Sequence, residues 1–509
     1  MFYITILLLA WHGLPWTKST PMKEKVFLLV FDGFVHDFEK LTTNMPNFQK
    51  LASEGVKAKG LIPPFPSSTW PSMNTLSTGL YPESHGIIRN NFFNSDGVRF
   101  SWTGDPSNHS NAMFFSQEPI WLSNQKQNGK NYDFTMGLIK LHSSMGFLGR
   151  SSVYYWPGYL AFDEKPHYHN SRITPFGANI TTGRQAIDDT FENYEKDPSL
   201  NFMVVYVDAP DETGHEHGVT SLEYHDRIEN LDKDVLGYLL EKLQGHPELN
   251  LIVLADHGQI NVNNNRVYFV NDYVPKEMLA LYPYGCNSVC ALKPSQGHST
   301  AEIIEKLAPL IHTGGFRIFN QESKNPKKRV PQHLHYTQNE LIPPLLVLPD
   351  PGWILYDESR NKTLNGTYGT HGYDPIACQE MQTIFYASGP AFKKGVTMEP
   401  FESVNVYPLL AHLLGIKPRP NNGTLTVFKH VLKDWKPKED IKLPGKYSKV
   451  VYALIFVGGV LLALIGMACI YYTLTFLYRC VCRLSGGRKK RYVKVERSLL
   501  EDDEEEDEF

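Results

Sequence analysis

Three apolar runs, each followed directly by an aspartate, constrain the fold of this 509-residue chain most strongly. The runs span residues 26–31, 202–207 and 251–255 and are rich in Val, Ile and Leu. Continuous runs of this kind are typical of strands buried on both faces, as in a parallel sheet covered by helices. Ligand sites in such sheets lie beyond the carboxyl ends of the strands. Asp32, Asp208 with the nearby Asp211, and Asp256 are therefore candidates for one common site.

An amphipathic helix is predicted between the second and third runs. Apolar residues recur there at helical spacing, at Ile228, Leu231, Val235, Leu239 and Leu243. Gly245 is placed to end this helix. Strand, helix and strand in that order form a βαβ unit. We therefore predict an α/β fold with a largely parallel central sheet flanked by helices.

Composition agrees with a large globular domain. The chain is 42% hydrophobic and 20% charged, which is typical of a protein with a packed core. The strand and helix pattern runs from about residue 25 to 432 without a linker-like break, so this range is predicted to be one domain. The net charge of −4 gives no argument for nucleic-acid binding, and we expect no binding to duplexes.

The two ends of the chain carry signals for membrane targeting. Residues 1–20 form a short apolar run followed by small and polar residues, which predicts a secretory signal peptide, with a buried strand as the alternative. Residues 433–449 are rich in Lys and Pro and are predicted to form a stalk. Residues 450–478 contain no charged residue and are long enough to cross the ~30 Å of bilayer hydrocarbon as a transmembrane helix. Basic residues follow at once, so residues 479–509, with their acidic end, are predicted to be a cytoplasmic tail.

This topology predicts a single-pass type I protein of the cell membrane whose large domain is extracellular. Five glycosylation sequons lie on the predicted outer side, at Asn108, Asn179, Asn361, Asn365 and Asn422. Three cysteines also lie there, Cys286, Cys290 and Cys378, so one is left unpaired and the pairing stays open. Cys480 and Cys482 follow the predicted span, where palmitoylation and unmodified thiols are equally compatible with the sequence.

Seven side chains with metal-ligating atoms stand in compact motifs. They are three Asp, three His and one Thr, namely Asp32, Thr69, Asp211, His215, Asp256, His257 and His371. A two-metal hydrolase needs such a set, because each metal takes about three protein ligands and keeps an open position for substrate. An Asp that caps a turn is the alternative for each aspartate alone, but three apolar runs that end in the same way favour a metal site.

Thr69 is the candidate nucleophile. Pro71 suits the first turn of a helix, so Thr69 is expected at a helix N-terminus, where the dipole favours an anion. A threonine hydroxyl becomes a good nucleophile when a metal removes its proton. A simple N-cap is the alternative for Thr69 when the spacing is considered alone.

These motifs resemble those of the ectonucleotide pyrophosphatase/phosphodiesterase family, in the alkaline phosphatase superfamily. Thr69-Trp-Pro and Thr78-Gly-Leu-Tyr-Pro-Glu-Ser-His-Gly-Ile-Ile-Arg-Asn90 are similar to its nucleophile segment. Its three metal motifs are matched by Pro210-Asp-Glu-Thr-Gly-His215, Ala255-Asp-His-Gly258 and Gly369-Thr-His-Gly-Tyr-Asp374. The resemblance covers residues 25–432 and, with the C-terminal anchor, looks like a short, membrane-anchored member.

The resemblance implies an alkaline-phosphatase-like core with two zinc ions. One ion would be held by Asp32, Thr69, Asp256 and His257, and the other by Asp211, His215 and His371. Thr69 would form a phosphothreonine intermediate, and Asn90 would donate its amide to a phosphoryl oxygen. The product would be a nucleoside 5′-monophosphate.

The nucleophile segment also departs from the family pattern. Ser68 stands where many members have Lys, and Ser72-Met73-Asn74 where they have Asn-His-Tyr. Trp70 replaces the usual Phe and could either stack on a nucleobase or be a core aromatic. Two further aromatic side chains that could line a base pocket are Tyr155 and Tyr168, which flank Trp156-Pro-Gly158.

The function that we expect is extracellular, zinc-dependent cleavage of nucleotide phosphodiester or pyrophosphate bonds. A choline-type lipid phosphodiesterase is the alternative among enzymes, because aromatic side chains also bind choline by cation–π attraction. A non-catalytic adhesion or receptor module is the alternative from another class, which the complete ligand set disfavours. A sulfatase is disfavoured because no predicted external Cys begins a Cys-x-Pro-x-Arg pattern. The sequence does not give the oligomeric state.

Overall fold

A computed structural model describes most of the predicted domain. The described residues are 24–101, 111–128, 134–136, 139–141, 149–170, 179–281, 285–357 and 368–435, together with 464, 467, 468 and 470–476. The chain divides into two compact units, Met1–Trp435 and Lys436–Phe509.

An eight-stranded sheet forms the centre of the first unit. Its strands in chain order are β1 Lys25–Asp32, β2 Val56–Ala58, β3 Arg150–Tyr154, β4 Tyr168–His169, β5 Leu200–Pro210, β6 Leu249–Ala255, β7 Phe385–Ser388 and β8 Val396–Met398. Their spatial order is β8-β2-β7-β6-β1-β5-β3-β4. The three predicted apolar runs are β1, β5 and β6, and β1 lies between the other two and parallel to both.

The sheet is mixed, so the prediction of a largely parallel sheet holds only in part. Strands β6, β1, β5, β3 and β4 run parallel. Strand β7 is antiparallel to both β6 and β2. An apolar run indicates that a strand is buried but not which way it runs, and residues 385–388 gave no separate signal.

Helices cover the sheet. Those described are α1 Pro46–Glu54, α2 Thr69–Thr78, α3 Pro82–His85, α4 Ile120–Asn128, α5 Ile180–Lys196, α6 Asp211–His217, α7 Leu222–Leu231, α8 Tyr238–Leu243, α9 Thr300–Lys306, α10 Ala308–His312 and α11 Val406–Leu413. The predicted amphipathic helix is confirmed as α7 and α8, joined by one π-helical segment, Asp232–Gly237. Its apolar stripe packs into the core, and Leu243 is partly buried at its end.

A buried carboxylate joins this helical segment to α1. Asp232 is 1% exposed and accepts hydrogen bonds from the backbone N–H groups of Asn47 (3.2 Å) and Phe48 (2.8 Å). These N–H groups lie in the first turn of α1, where no backbone partner exists. Asp232 therefore serves as a cap supplied from a distant part of the chain, which hydrophobic periodicity cannot reveal.

A second, four-stranded sheet packs elsewhere in the first unit. Its strands lie in the order Leu279–Ala280, Cys290–Pro294, Leu345–Pro349 and Phe316–Asn320. Smaller two-stranded pairs are Leu61–Ile62 with Phe401–Glu402, Asn91–Phe93 with Arg99–Ser101, Phe134–Met136 with Ile139–Leu141, Ile260–Val262 with Tyr368–Thr370, and Val267–Phe269 with Ile354–Tyr356. A Cys286–Cys290 disulfide leads into the second sheet, and Cys378 is a buried free thiol. The pairing that the sequence left open is thereby decided.

The predicted targeting segments fall largely outside the described residues. The signal peptide, the stalk beyond residue 435, most of the predicted span and the tail are not described. Within the described part of the chain, no helix combines the length and apolar character needed to cross a bilayer. Of the five sequons, Asn108, Asn361 and Asn365 lie outside this part, while Asn179 and Asn422 are exposed.

Candidate active site

Three of the four aspartates predicted from the apolar runs, Asp32, Asp211 and Asp256, meet at one edge of the central sheet, whereas Asp208 lies inside β5. Asp32 is the last residue of β1, and Asp256 directly follows β6. Asp211 begins α6, immediately after β5. A register shift after Phe31 places Asp32 opposite Pro210, next to Asp211. The site is thus built at the carboxyl ends of adjacent parallel strands, as the sequence predicted.

The three histidines reach this edge by different routes. His215 lies one turn after Asp211 on α6, and His257 follows Asp256 in the chain. His371 directly follows the short strand Tyr368–Thr370, which pairs with Ile260–Val262 beyond β6. Only this pairing brings His371, distant in the chain, beside the other two imidazoles.

Asp32, Asp256 and His257 form the first group that could hold a metal ion. Their ligating atoms all lie within 4.8 Å of one another. His257 Nε2 is 3.4 Å from both Asp32 Oδ1 and Asp256 Oδ2. The Thr69 Oγ1 atom is 3.2 Å from His257 Nε2. The candidate nucleophile therefore borders a group of two carboxylates and one imidazole.

Asp211, His371 and His215 form a second group beside the first. Asp211 Oδ2 lies 3.2 Å from His215 Nε2, and Asp211 Oδ1 lies 3.7 Å from His371 Nε2. The rings of His257 and His371 stack with centroids 3.8 Å apart. Ligating atoms of Asp211, His257 and His371 also lie within 4.8 Å of one another. The structure thus brings all seven predicted residues into two adjoining groups.

Each imidazole presents the same nitrogen to the site. The Nδ1 atoms of His215, His257 and His371 lie 2.8–3.1 Å from the backbone carbonyls of Gly369, Gly258 and Ser67, respectively. A carbonyl can only accept, so Nδ1 carries the proton in the neutral ring and donates it. The lone pair of Nε2 then points to the carboxylates, as in a metal-ligating histidine.

The carboxylates of the first group each have one bonded and one free oxygen. Asp32 Oδ2 accepts a short hydrogen bond from the hydroxyl of Tyr206. Asp256 Oδ1 accepts from the backbone N–H groups of Gly33 (3.2 Å) and His257 (2.8 Å). Asp32 Oδ1 and Asp256 Oδ2 are buried and have no hydrogen-bond partner. A buried unpaired carboxylate oxygen is costly, and a cation between these two oxygens would satisfy both. The donor set therefore fits a metal ion.

The carboxylates of the two groups have pKa values that are shifted in opposite directions. Burial, together with the charges of Asp256 and Asp211, holds the pKa of Asp32 well above its usual range. Burial also raises the pKa of Asp256. Burial alone would also raise the pKa of Asp211, but the interaction with His215 opposes this effect and the pKa of Asp211 is lowered. Burial lowers the pKa of His215, but the negative charge of Asp211 raises it by more, so the pKa of His215 rises to about 9. The first group thus lacks positive charge, which a bound cation supplies.

Two residues that hold the aspartates were missed by the sequence analysis. Tyr206 stands inside β5 and donates its hydroxyl to Asp32. Gln259 is fully buried, and its Nε2 donates to Asp211 Oδ1 and to the Asp211 carbonyl at 3.0 Å. Gly214 makes room for it, because a Cβ there would lie 1.8 Å from Gln259 Oε1. The sequence contained a signal for each of them: Tyr206 is a hydroxyl-bearing residue within an apolar run, and Gln259 is a polar residue directly after the Asp-His-Gly motif.

We expect Tyr206→Phe to weaken metal binding. The change removes the hydrogen bond that orients Asp32, and losses of such outer partners typically cost 10- to 100-fold in metal affinity. The measurement is the metal dissociation constant, determined by competition with a chromophoric chelator. Tyr407→Phe is the matched control, since Tyr407 is also buried but its hydroxyl accepts from the backbone N–H of Arg419. Equal affinities in the two variants would refute the role of Tyr206.

Asn90 contacts the first turn of α2, the helix that begins with Thr69. This helix begins at Thr69 and carries Pro71 in its first turn, as predicted. Asn90 Oδ1 accepts a 3.0 Å hydrogen bond from the backbone N–H of Trp70. This bond fixes the amide plane and leaves the NH₂ group of Asn90 to donate elsewhere.

The three aromatic residues predicted near a base pocket have different positions. Trp70 is 1% exposed and packs edge-on against Phe100, with ring centroids 5.1 Å apart, which favours its interpretation as a core aromatic. Tyr155 directly follows β3, at the same end of the sheet as the site. Tyr168 is not brought to the site: its hydroxyl donates to Asp197 (2.9 Å), which precedes β5, so it lies toward the opposite end of the sheet.

Residues 26–374 match the family model described as type I phosphodiesterase / nucleotide pyrophosphatase. The chain belongs to this family. Rat ectonucleotide pyrophosphatase/phosphodiesterase family member 3 is 32% identical over 419 residues, which are 80% of this chain and 44% of that protein. The chain therefore spans less than half the length of that relative. Mouse family member 7 is 30% identical, with 81% of this chain and 88% of that protein covered.

Two further relatives are informative about the family. The frog bis(5′-adenosyl)-triphosphatase of Xenopus laevis is 30% identical over 82% of this chain and 83% of its own. The solved structure of murine ectonucleotide pyrophosphatase/phosphodiesterase 5 superposes with a TM-score of 0.67 at 29% identity, covering 80% of this chain and all of that one. An inactive variant of the same murine protein, solved in complex with AMP, gives a TM-score of 0.68. The first unit thus has the alkaline-phosphatase-like α/β fold with a mixed central sheet.

Proposed function

We propose that this family member hydrolyses phosphodiester or pyrophosphate bonds of nucleotides and releases nucleoside 5′-monophosphates. The observation that carries the proposal is the position of the Thr69 hydroxyl, at the start of α2 and 3.2 Å from His257 Nε2. A hydroxyl placed at a helix N-terminus and beside three carboxylates and three imidazoles suits metal-assisted phosphoryl transfer. The complete ligand set opposes a purely adhesive role.

We expect two zinc ions as cofactors. Asp32, Thr69, Asp256 and His257 would hold one ion, and Asp211, His215 and His371 the other. The mixture of carboxylate and imidazole ligands suits zinc better than magnesium, which prefers oxygen ligands. When bound, such ions lower the pKa of a coordinated hydroxyl and offset charge on phosphoryl oxygens.

The residues of the chain then divide the work between two displacements. In the first, Thr69 Oγ1 gives its proton to solvent and bonds to phosphorus while the bond to the leaving oxygen breaks, so the nucleoside 5′-phosphoryl group becomes esterified to Thr69. In the second, water attacks phosphorus and loses one proton, and Thr69 Oγ1 leaves and regains a proton. Asn90, whose Oδ1 is held by the Trp70 N–H, donates its NH₂ to a phosphoryl oxygen as charge grows.

A nucleotide is the substrate class that the comparisons favour. One relative is named bis(5′-adenosyl)-triphosphatase, and the inactive murine neighbour was solved with AMP. Within the chain, Tyr155 remains a candidate for contact with the base because it lies at the carboxyl end of β3. The buried Trp70 and the distant Tyr168 do not support the base pocket as first predicted.

The substrate proposal predicts a higher kcat/KM for nucleotides than for choline esters. Stacking of a base on an aromatic side chain is worth about 1–3 kcal/mol, which corresponds to roughly 5- to 150-fold in kcat/KM. The measurement compares a dinucleoside polyphosphate, a nucleoside triphosphate and a glycerophosphocholine on one preparation. A higher kcat/KM for the choline ester would establish the lipid alternative instead.

We infer that the catalytic domain is displayed outside the cell membrane. Three features of the sequence support this location: the N-terminal targeting segment, the uncharged residues 450–478, and the basic residues that follow them. The exposed sequons at Asn179 and Asn422 are compatible with glycosylation. Protease added to intact cells should remove the catalytic domain and spare a C-terminal tag; digestion of the tag with protection of the domain would reverse this topology.

A further inference from the structure

A cavity of about 100 Å³ lies outside the metal-ligating groups. It is bounded by the hairpin strand Asn91–Phe93 and by the second sheet, where Ala291 and Lys293 line it. Its walls also include apolar residues of the segment 341–344. None of the seven predicted ligands lines it, so it is distinct from the site of the proposed hydrolysis.

Arg89 is the buried charge of this cavity. Its side chain is 7% exposed, and its Nε atom has no hydrogen-bond partner. Nη1 donates to the carbonyl of Gly285 over a long 3.4 Å. Burial lowers the pKa of this guanidinium, although the group stays protonated at physiological pH. A buried guanidinium of this kind is normally compensated by an anion.

The described carboxylates compensate this charge only from a distance, through the charge of Asp357. Among the described residues, no carboxylate lies within ion-pair distance of Arg89. Asp357 is near enough for its charge to act on Arg89, but its oxygens accept from the backbone N–H groups of Gly285 (3.2 Å) and Cys286 (2.8 Å). Arg89 lines the cavity, and among the described residues only its Nη1 atom has a hydrogen-bond partner.

We propose that this cavity binds a tetrahedral oxyanion of the phosphate class. The planar guanidinium of Arg89 matches the oxygens of such an anion and can donate two parallel hydrogen bonds. Lys293 adds a positive charge at the exposed rim, and Glu340 adds a negative one, so the three lining charges sum to +1. The volume accommodates one oxyanion group but not a whole nucleoside. The anion can be free phosphate or the phosphate group of a nucleotide, since both present the same oxygens.

Isothermal titration of the metal-loaded protein with inorganic phosphate tests the proposal. The metal centre also attracts phosphate, so two binding events are expected in the wild type. Arg89→Gln should weaken one event at least tenfold and leave the other unchanged. Lys293→Ala should weaken the same event several-fold, and because Lys293 is exposed this variant keeps the fold. Arg317→Gln, which removes an exposed arginine paired with Asp350, is the control that should change neither event.

The outcomes separate this site from the metal centre and identify the source of the anion. His371→Ala should weaken phosphate binding at the metal centre and leave phosphate binding at Arg89 unchanged. Phosphate binding at Arg89 can therefore be measured even if the proposed hydrolysis is wrong. Titration with AMP distinguishes the two sources of the anion. If the wild type binds a second AMP molecule per chain and Arg89→Gln does not, the site takes nucleotide phosphates. If the wild type binds no second AMP molecule, the site takes free phosphate. Phosphate binding that is identical in the wild type, Arg89→Gln and Lys293→Ala would overturn the proposal.

Discussion

Replacement of Thr69 by alanine should abolish turnover while zinc remains bound. The change removes the oxygen that we propose to attack phosphorus, and loss of a nucleophile typically costs several orders of magnitude in kcat. Asp32, Asp256 and His257 remain to hold the first ion, because their ligating atoms converge without help from Thr69. The measurements are kcat with a nucleotide substrate and zinc content by elemental mass spectrometry.

Thr69→Ser is the matched control for this variant. Serine keeps the hydroxyl at the start of α2 and loses only a methyl group, so we expect measurable turnover. A folded, zinc-loaded Thr69→Ala protein with near-normal kcat would remove Thr69 from the mechanism. An inactive Thr69→Ala protein that has also lost its zinc would show that Thr69 serves mainly as a ligand.

Removal of the metal ions should eliminate activity completely, and added zinc should restore it. Without a cation the Thr69 hydroxyl keeps its proton, because the carboxylates of Asp32 and Asp256, which lie 3.4 Å from the neighbouring His257 Nε2, disfavour the negative charge of an alkoxide. The free oxygens Asp32 Oδ1 and Asp256 Oδ2 also lose the charge that would satisfy them. The measurement is the rate after dialysis against a chelator, followed by titration with zinc, magnesium and calcium salts.

The recovery should reach its maximum near two zinc ions per chain. His371→Ala should reduce occupancy of the second group first, because that group has only three protein ligands. The control is Thr69→Ala, which should take up zinc but stay inactive. Full activity in a chelated sample verified to be free of metal would contradict the two-ion proposal, as would restoration by calcium alone.

The positions of the site residues could be predicted where local sequence determines them. The positions of Asp32 at the end of β1, Asp256 directly after β6 and Asp211 at the start of α6 follow from apolar runs that end at the same edge of a sheet. Thr69 at the start of α2 follows from Pro71 in the first helical turn. These predictions succeeded because burial and helix-start preferences are encoded within a few residues.

Other features depend on distant pairing and could not be predicted in that way. Antiparallel β7 separates β2 from β6, and a strand's apolar pattern carries no direction. Tyr206 reaches Asp32 only because β5 is in register with β1, and Gln259 fits only because Gly214 lacks a side chain. Tyr168 is close to Tyr155 in sequence, yet β4 places its hydroxyl toward the other end of the sheet.

Detection of a nucleotidyl group on Thr69 would test the central claim most directly. The reaction of a nucleoside triphosphate with the zinc-loaded protein is quenched in acid during turnover, and the peptide that contains Thr69 is analysed by mass spectrometry, with the Thr69→Ala protein as the blank. We predict that the wild-type peptide gains the mass of a nucleoside monophosphate less one water, with fragmentation placing the group on Thr69. An adduct on a different residue, such as Ser68 or Ser72, would contradict the account.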